Sequence, residues 1–239
     1  VLSAIKAGYR LIDTAEAYGN EEAVGNAIAK CGVLRSELFI TTKVNFKSYD
    51  NTRITVENSM KKLQTEYLDM VLLHWPFGNV YGAWRDLEKL FEEGKIRAIG
   101  VSNFEPDRLI DLISFNKVKP AINQIETHIY CQRHIEHEWE DKYGVAHQAY
   151  APLGQGRAND MFEEEAIKRI ADKYGKTPAQ VLLRFLLQSV HESRMKENID
   201  IFDFELTANE LAAIKALDKR TAMIGNPETP ELVESAMKW

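Results

Sequence analysis

Three short apolar runs in this chain each end on a residue able to do chemistry. Leu11-Ile12 leads into Asp13, with Tyr18 in the polar loop that follows; Phe39-Ile40-Thr41-Thr42 leads into Lys43; Met70-Val71-Leu72-Leu73 leads into His74. A phenol, an ammonium, a carboxylate and an imidazole at successive strand ends form a proton-transfer set. A phenol is a weak acid near neutral pH, with a pKa of about 10, and a neighbouring ammonium favours its ionised form. Asp13 would fix and charge-balance Lys43, and His74 could donate a hydrogen bond to a reacting oxygen. Alone, Asp13, Lys43 or His74 would read as an ordinary satisfied polar group; it is their joint placement that points to a site.

The elements that must position this set alternate regularly. Strand-like runs fall near 9–13, 38–44, 69–74, 97–101, 121–126 and 145–150, and amphipathic helical stretches near 21–31, 51–64, 81–93, 105–115, 132–142, 162–188 (as two helices) and 190–199. Strict alternation implies parallel strands with right-handed crossovers, and continuous apolar strands imply burial on both faces. The fold class is α/β, and a closed (β/α)8 barrel or an open doubly wound sheet would satisfy the pattern. No G-x-G-x-x-G follows the first strand, and chemistry spread over several strand ends favours the barrel.

Such a barrel needs eight strands, and six are visible. Val1 to Gly8 reads as the last turns of a helix with a glycine stop, which places a first strand ahead of residue 1. Val181-Leu182-Leu183-Arg184-Phe185-Leu186-Leu187-Gln188 meets Ser189 with no turn residue and no strand before the next helix. An eighth strand with its flanks, about 8–12 residues, is expected there. The reading is one barrel domain over 1–239, lacking an N-terminal segment and a segment between 188 and 189. The stretch from Thr221 to Trp239, with Pro227 and Pro230, reads as irregular.

Composition sets the outer bounds. Hydrophobic residues make up 45% and charged residues 28% of the 239, as in an ordinary globular domain. A net charge of −6 and a pI near 5.6 give no reason to expect nucleic acid or an anionic membrane as partner. Cys31 and Cys131 lack any C-x-x-C spacing, so neither a disulfide framework nor a zinc site is suggested, and that usage suits a reducing cytoplasm. No run approaches the roughly 18 apolar residues of a membrane span, and no signal-peptide layout is seen. A metal-hydrolase barrel is the rival reading of the strand-end set, but an ammonium at Lys43 is no ligand and no second His has the usual spacing. His134 and His137, with Glu136 and Glu138, read as a solvated helix face.

Gly8-Tyr9-Arg10-Leu11-Ile12-Asp13-Thr14-Ala15, then five residues, then Glu21-Glu22-Ala23-Val24-Gly25, fit at every position a signature of the aldo-keto reductases. Arg97-Ala98-Ile99-Gly100-Val101-Ser102-Asn103-Phe104 resembles that family's second signature. The chain most resembles the prokaryotic members grouped with the 2,5-diketogluconate reductases.

The resemblance implies an NADPH-dependent carbonyl reductase in which Asp13, Tyr18, Lys43 and His74 are the catalytic tetrad and Tyr18 protonates the oxygen of an aldehyde or ketone. It further implies that Ser102, Asn103 and Gln124 hold the nicotinamide carboxamide and that Tyr150 stacks on the ring. Pro152, Leu153, Gly154 and Gly156 would form the loop over the pyrophosphate. Ser189 and Arg194 would grip the 2′-phosphate of NADPH, with Glu197 and Asn198 at the adenine. Trp75 and Phe77 would wall the substrate pocket, and Asn45 stands where the family often has Trp, which makes the pocket more open and polar. An empty cofactor site would accompany the two absent segments, since bound NADPH would order them. A small-molecule carbonyl is then the partner, and a monomer is expected. The alternative is a non-catalytic NADPH-binding barrel with a regulatory role.

Overall fold

β-Branched residues mark the strands. In Phe39-Ile40-Thr41-Thr42-Lys43-Val44 four of six side chains branch at Cβ, a shape that suits a pleated strand flanked by neighbours. In the computed structural model these residues form β2, Phe39–Val44, one of six strands among the described residues, with β1 (Leu11–Asp13), β3 (Met70–Leu73), β4 (Ile99–Ser102), β5 (Ile122–Glu126) and β6 (Ala146–Tyr150). The structure describes residues 1–156, 159–189, 201–224, 229–236 and 238. The strand order is that of the sequence, β1-β2-β3-β4-β5-β6. The registered pairs are parallel, with Asp13 opposite Thr41, Lys43 opposite Leu72 and Ser102 opposite Gln124. Every strand anticipated from the apolar runs is present.

The chain divides into two compact units. The first takes in Val1–Gln124, Glu138–Ala146 and Pro227–Trp239, the second Ile125–His137 and His147–Asn226. In the first unit, α1 (Leu2–Lys6), α2 (Glu21–Lys30), α3 (Thr52–Leu63), α4 (Val80–Glu92) and α5 (Pro106–Phe115) follow or precede the strands, and α11 (Pro230–Ala236) closes it. Its core joins Ile40, Val71, Leu73, Val101, Trp84 and Leu87, all 0% exposed. In the second unit α7 (Asn159–Glu163), α8 (Glu165–Tyr174), α9 (Pro178–Ser189) and α10 (Ala208–Lys215) pack around Ile167, Val181, Leu182, Phe185 and Ile214. α6 (His134–Tyr143) crosses the boundary between the units.

Two signature glycines earn their place by close approach. A Cβ on Gly25 in α2 would lie 2.3 Å from the Lys62 carbonyl oxygen, where α2 meets the end of α3. A Cβ on Gly100 in β4 would lie 2.8 Å from Leu72 Cδ2 and 2.9 Å from the Ile122 carbonyl. Any side chain at either position forces backbone apart.

Two elements depart from expectation. The stretch from Thr221 is not irregular throughout, because Pro230 opens α11 at a position where its missing N–H costs nothing, and Ala236 is buried there. α10 was not anticipated at all, although Thr207 and Glu210 form a reciprocal capping box that the sequence spells out. α9 runs as one helix through Gln188 to Ser189. The helix expected near 190–199 lies outside the described residues.

Candidate active site

The first unit brings Asp13, Tyr18, Lys43 and His74 together. Asp13 is the last residue of β1, Lys43 lies one residue from the end of β2, and His74 follows β3, its N–H donating to the Val44 carbonyl at 3.1 Å. Lys43, 2% exposed, donates to the Asp13 carboxylate and to the Thr14 carbonyl at 3.0 Å. Gln124 Nε2 donates to the other Asp13 oxygen at 2.8 Å. Tyr18 ends a single helical turn, Glu16–Tyr18, and is 54% exposed. Its ring meets His74 edge-on at 5.8 Å between centroids, and Lys43 Nζ stands 5.3 Å from the phenol ring centroid.

Electrostatics here correct one expectation. The sequence suggests an ammonium that lowers the phenol's pKa, yet partial burial and the Asp13 charge raise it above its ordinary value. Lys43 is committed to Asp13 and to Thr14, and burial lowers its own pKa while Asp13 partly restores it. Tyr18 is therefore held as a protonated phenol. His74 falls to about 4, first through burial and then through Lys43, so its ring is neutral near pH 7. Its buried Nδ1 has no hydrogen-bond partner among the described residues. An unpaired buried lone pair costs less than an unpaired N–H, so the ring's proton belongs on Nε2.

An aromatic wall adjoins the imidazole. His74 stacks on Trp75 at 6.1 Å, Trp75 on Phe77 at 5.6 Å, and Phe77 meets Phe46 edge-on at 5.8 Å. Phe46, 8% exposed, was missed from sequence, although it follows Asn45 directly after β2. Glu16 and Tyr49, whose polar atoms join these loops, were missed as well.

Of the residues read as nicotinamide contacts, Ser102, Asn103 and Gln124 share this unit and bond to the protein itself. Ser102 Oγ donates to the Gln124 carbonyl at 2.8 Å, and Asn103 Nδ2 donates to the His74 carbonyl at 3.0 Å, its backbone left-handed at φ 63°. Their amide chemistry fits a carboxamide, which asks for one donor and one acceptor.

In the second unit Tyr150 ends β6, and its carbonyl accepts from Thr127 N–H at 3.2 Å. The loop after it has positive φ at Ala151, Gly154, Gln155 and Gly156, and a Cβ on Gly156 would meet nothing within 4 Å. Pro152 and Leu153 are half-buried in it. Bare, open backbone at Gly156 fits the close approach of an anion such as a pyrophosphate. Ser189 ends α9, and Arg194, Glu197 and Asn198 lie outside the described residues.

The face of α6 is only partly the solvated one anticipated. His134 and Glu138 are exposed and Glu136 accepts from Arg133 at 2.8 Å, but His137 is half-buried and stacks on His147 at 3.7 Å.

Residues 1–219 match the model of the aldo/keto reductase family. The chain is 43% identical to glyoxal reductase of Bacillus subtilis over 239 aligned positions, which take in 95% of this chain and 86% of the relative. Among solved structures it matches MGS-M4, an aldo-keto reductase from a Medee basin deep-sea metagenome library, with a TM-score of 0.89, 36% identity and coverage of 95% and 88% of the two chains. It also matches a Bombyx mori aldo-keto reductase in complex with NADP, with a TM-score of 0.85, 33% identity and coverage of 94% and 83%.

Proposed function

The chain belongs to the aldo/keto reductase family, with the α/β fold of its (β/α)8 barrels and an activity on carbonyls, and on that premise we propose that Tyr18 is its proton donor and that small dicarbonyl aldehydes are its substrates. The observation that carries the reading is the phenol of Tyr18 set edge-on to a neutral His74 and beside the buried Lys43 that pairs with Asp13.

Bound NADPH supplies the hydride that reaches the carbonyl carbon. Tyr18 gives its proton to the oxygen, so C=O becomes CH–OH and a phenolate remains, to be reprotonated from solvent. Even with its pKa raised, the phenol remains a stronger acid than the alcohol being formed, so its proton passes downhill to the developing alkoxide. Lys43 faces the phenolate once it forms, and Asp13 holds Lys43 in place. His74 donates from Nε2 to the substrate oxygen and so directs it toward the phenol. Trp75 and Phe77 wall the pocket, and Asn45 leaves it open enough for a polar dicarbonyl.

Residue by residue, Ser102, Asn103 and Gln124 suit the carboxamide, Tyr150 a stacked ring, and Pro152, Leu153, Gly154 and Gly156 a pyrophosphate. Ser189, Arg194, Glu197 and Asn198 suit the 2′-phosphate and adenine, which favours NADPH over NADH. The same reading has one domain, acting as a cytoplasmic monomer, without a segment between 188 and 189.

Loss of NADPH absorbance with glyoxal, methylglyoxal, a nitrobenzaldehyde and a diketogluconate tests the proposal beside Tyr18→Phe. Turnover that ranks dicarbonyls first and falls about 10²- to 10⁴-fold in the variant, with NADPH still bound, is the expected result. Tight NADPH binding with no turnover on any carbonyl would overturn it in favour of a regulatory barrel.

A further inference from the structure

Glu16 stands two residues before Tyr18 in the same helical turn. Its carboxylate accepts from the Asn45 N–H at 2.9 Å through Oε2 and from the Ser48 hydroxyl at 2.6 Å through Oε1. Asn45 directly follows β2, so the turn bearing the phenol is tied to the loop that continues the Lys43 strand. That loop is itself well formed: Asn45 Oδ1 accepts from Lys47 N–H at 3.0 Å, and the Asn45 carbonyl from Ser48 N–H at 2.8 Å.

The loop then reaches Tyr49, which is 1% exposed. The Tyr49 hydroxyl donates to the Trp75 carbonyl at 2.6 Å and accepts from the Trp75 N–H at 3.2 Å, clasping the main chain one residue beyond His74. Residues 45–49 thus form a bracket. One end grips the turn of Tyr18 and the other grips the main chain beside His74.

Tyr18 needs such a tie. Over half its surface is exposed, and the turn's own backbone bonds, Tyr18 N–H to Ala15 and Gly19 N–H to Glu16, hold only the turn to itself. Among the described residues, the side-chain bonds that leave residues 16–18 are the two made by Glu16. We infer that Glu16 is a positioning residue, which acts through the 45–49 bracket to fix the distance and angle between the Tyr18 phenol and the His74 imidazole. Proton transfer is steep in such geometry, and a displacement of about 1 Å can cost a hundredfold in rate. This inference rests on Tyr18 being the proton donor.

The test is a set of steady-state kinetics with methylglyoxal and NADPH on Glu16→Ala, Glu16→Gln, Ser48→Ala and Tyr18→Phe, with melting temperature and NADPH binding by tryptophan fluorescence measured alongside. Glu16→Ala lowers kcat about 10-fold while KM and the Kd for NADPH stay within about twofold. Glu16→Gln restores kcat, because an amide oxygen can accept from Asn45 N–H while the amide nitrogen donates to Ser48 Oγ. Ser48→Ala removes one tie from outside the turn and lowers kcat by about threefold, which keeps the question open should Glu16→Ala not fold. Wild-type kcat in both Glu16→Ala and Ser48→Ala, or a Glu16→Gln as slow as Glu16→Ala, overturns the bracket. Tyr18→Phe that turns over like wild type would instead sink the proton-donor reading on which the bracket depends.

Discussion

Two carboxylates, one buried and one exposed, lie at opposite ends of the sheet, and they are treated differently. Asp69 comes just before β3 and is 0% exposed. One of its oxygens accepts from Ile40 N–H at 2.9 Å and pairs with Arg35 at 2.8 Å, and the other accepts from Arg97 at 2.9 Å. Asp13, at the far end of β1, has a side chain 27% exposed and bonds to Lys43 and Gln124, in a neighbourhood that includes an exposed phenol and a His74 nitrogen without a partner among the described residues. One end is saturated, and the other keeps polar capacity in hand. A parallel sheet with chemistry at the carboxyl ends of its strands places stability and reactivity at opposite ends in this way.

Substitutions at the two ends should therefore fail in opposite ways. The largest effect belongs to Lys43→Met. It fills the same volume but removes the ammonium that faces the phenolate, and turnover should fall about 10²- to 10⁴-fold. Stability should hold or rise, because burial already lowers the Lys43 pKa and the charged form is held there at a cost. Asp13 keeps Gln124 and water. A melting temperature that drops several degrees with the activity would erase the distinction between the ends.

Next in size is Asp69→Ala. It leaves Arg35 and Arg97 facing an emptied buried site and the Ile40 N–H without an acceptor, a loss of about 3–5 kcal/mol. The fraction that folds should retain the wild-type kcat. Chemical denaturation beside kinetics normalised to folded protein decides it, and a kcat lowered in proportion to stability would show the ends to be coupled.

These assignments were unevenly legible in the sequence. All six strands could be placed because an apolar run bounded by turn residues is a local signal, and three of those runs lead into Asp13, Lys43 and His74. The signature glycines could be noted but not explained, since the atoms that exclude a side chain, the Lys62 carbonyl for Gly25 and the Ile122 carbonyl for Gly100, lie far along the chain. Glu16 was invisible for the same reason, its partner Ser48 standing 32 residues away. The sign of the Tyr18 shift was misjudged because residue types do not say how far a phenol is buried or which neighbouring charge is already committed elsewhere. Here Lys43 is bonded to Asp13 and Thr14, and partial burial first, then the Asp13 charge, raise the phenol's pKa. α11 was lost to its two prolines, one of which turned out to start the helix.

The smallest predicted effect is a pH dependence of stability that belongs to the open end. His74 has an ordinary imidazole pKa of about 6.5 when unfolded and is lowered to about 4 when folded. Between those values the unfolded chain binds a proton that the folded chain does not, so stability rises with pH across that window. The contribution is fully present above about 6.5, is lost as pH falls toward 4, and is constant below that. Two to three pKa units would correspond to roughly 3 kcal/mol, and the ring's partial exposure reduces this to about 2. Other titrating groups add to the raw curve, so the measurement is the difference between wild type and His74→Gln, which carries no charge at any pH. Denaturation midpoints taken from pH 4 to 7 should converge toward acid and separate toward neutrality, with wild type the steeper. Parallel curves would mean that the imidazole is as well hydrated folded as unfolded. The unpaired Nδ1 would then not be a buried cost, and the contrast between a saturated end and an unsaturated one would rest on Tyr18 and Lys43 alone.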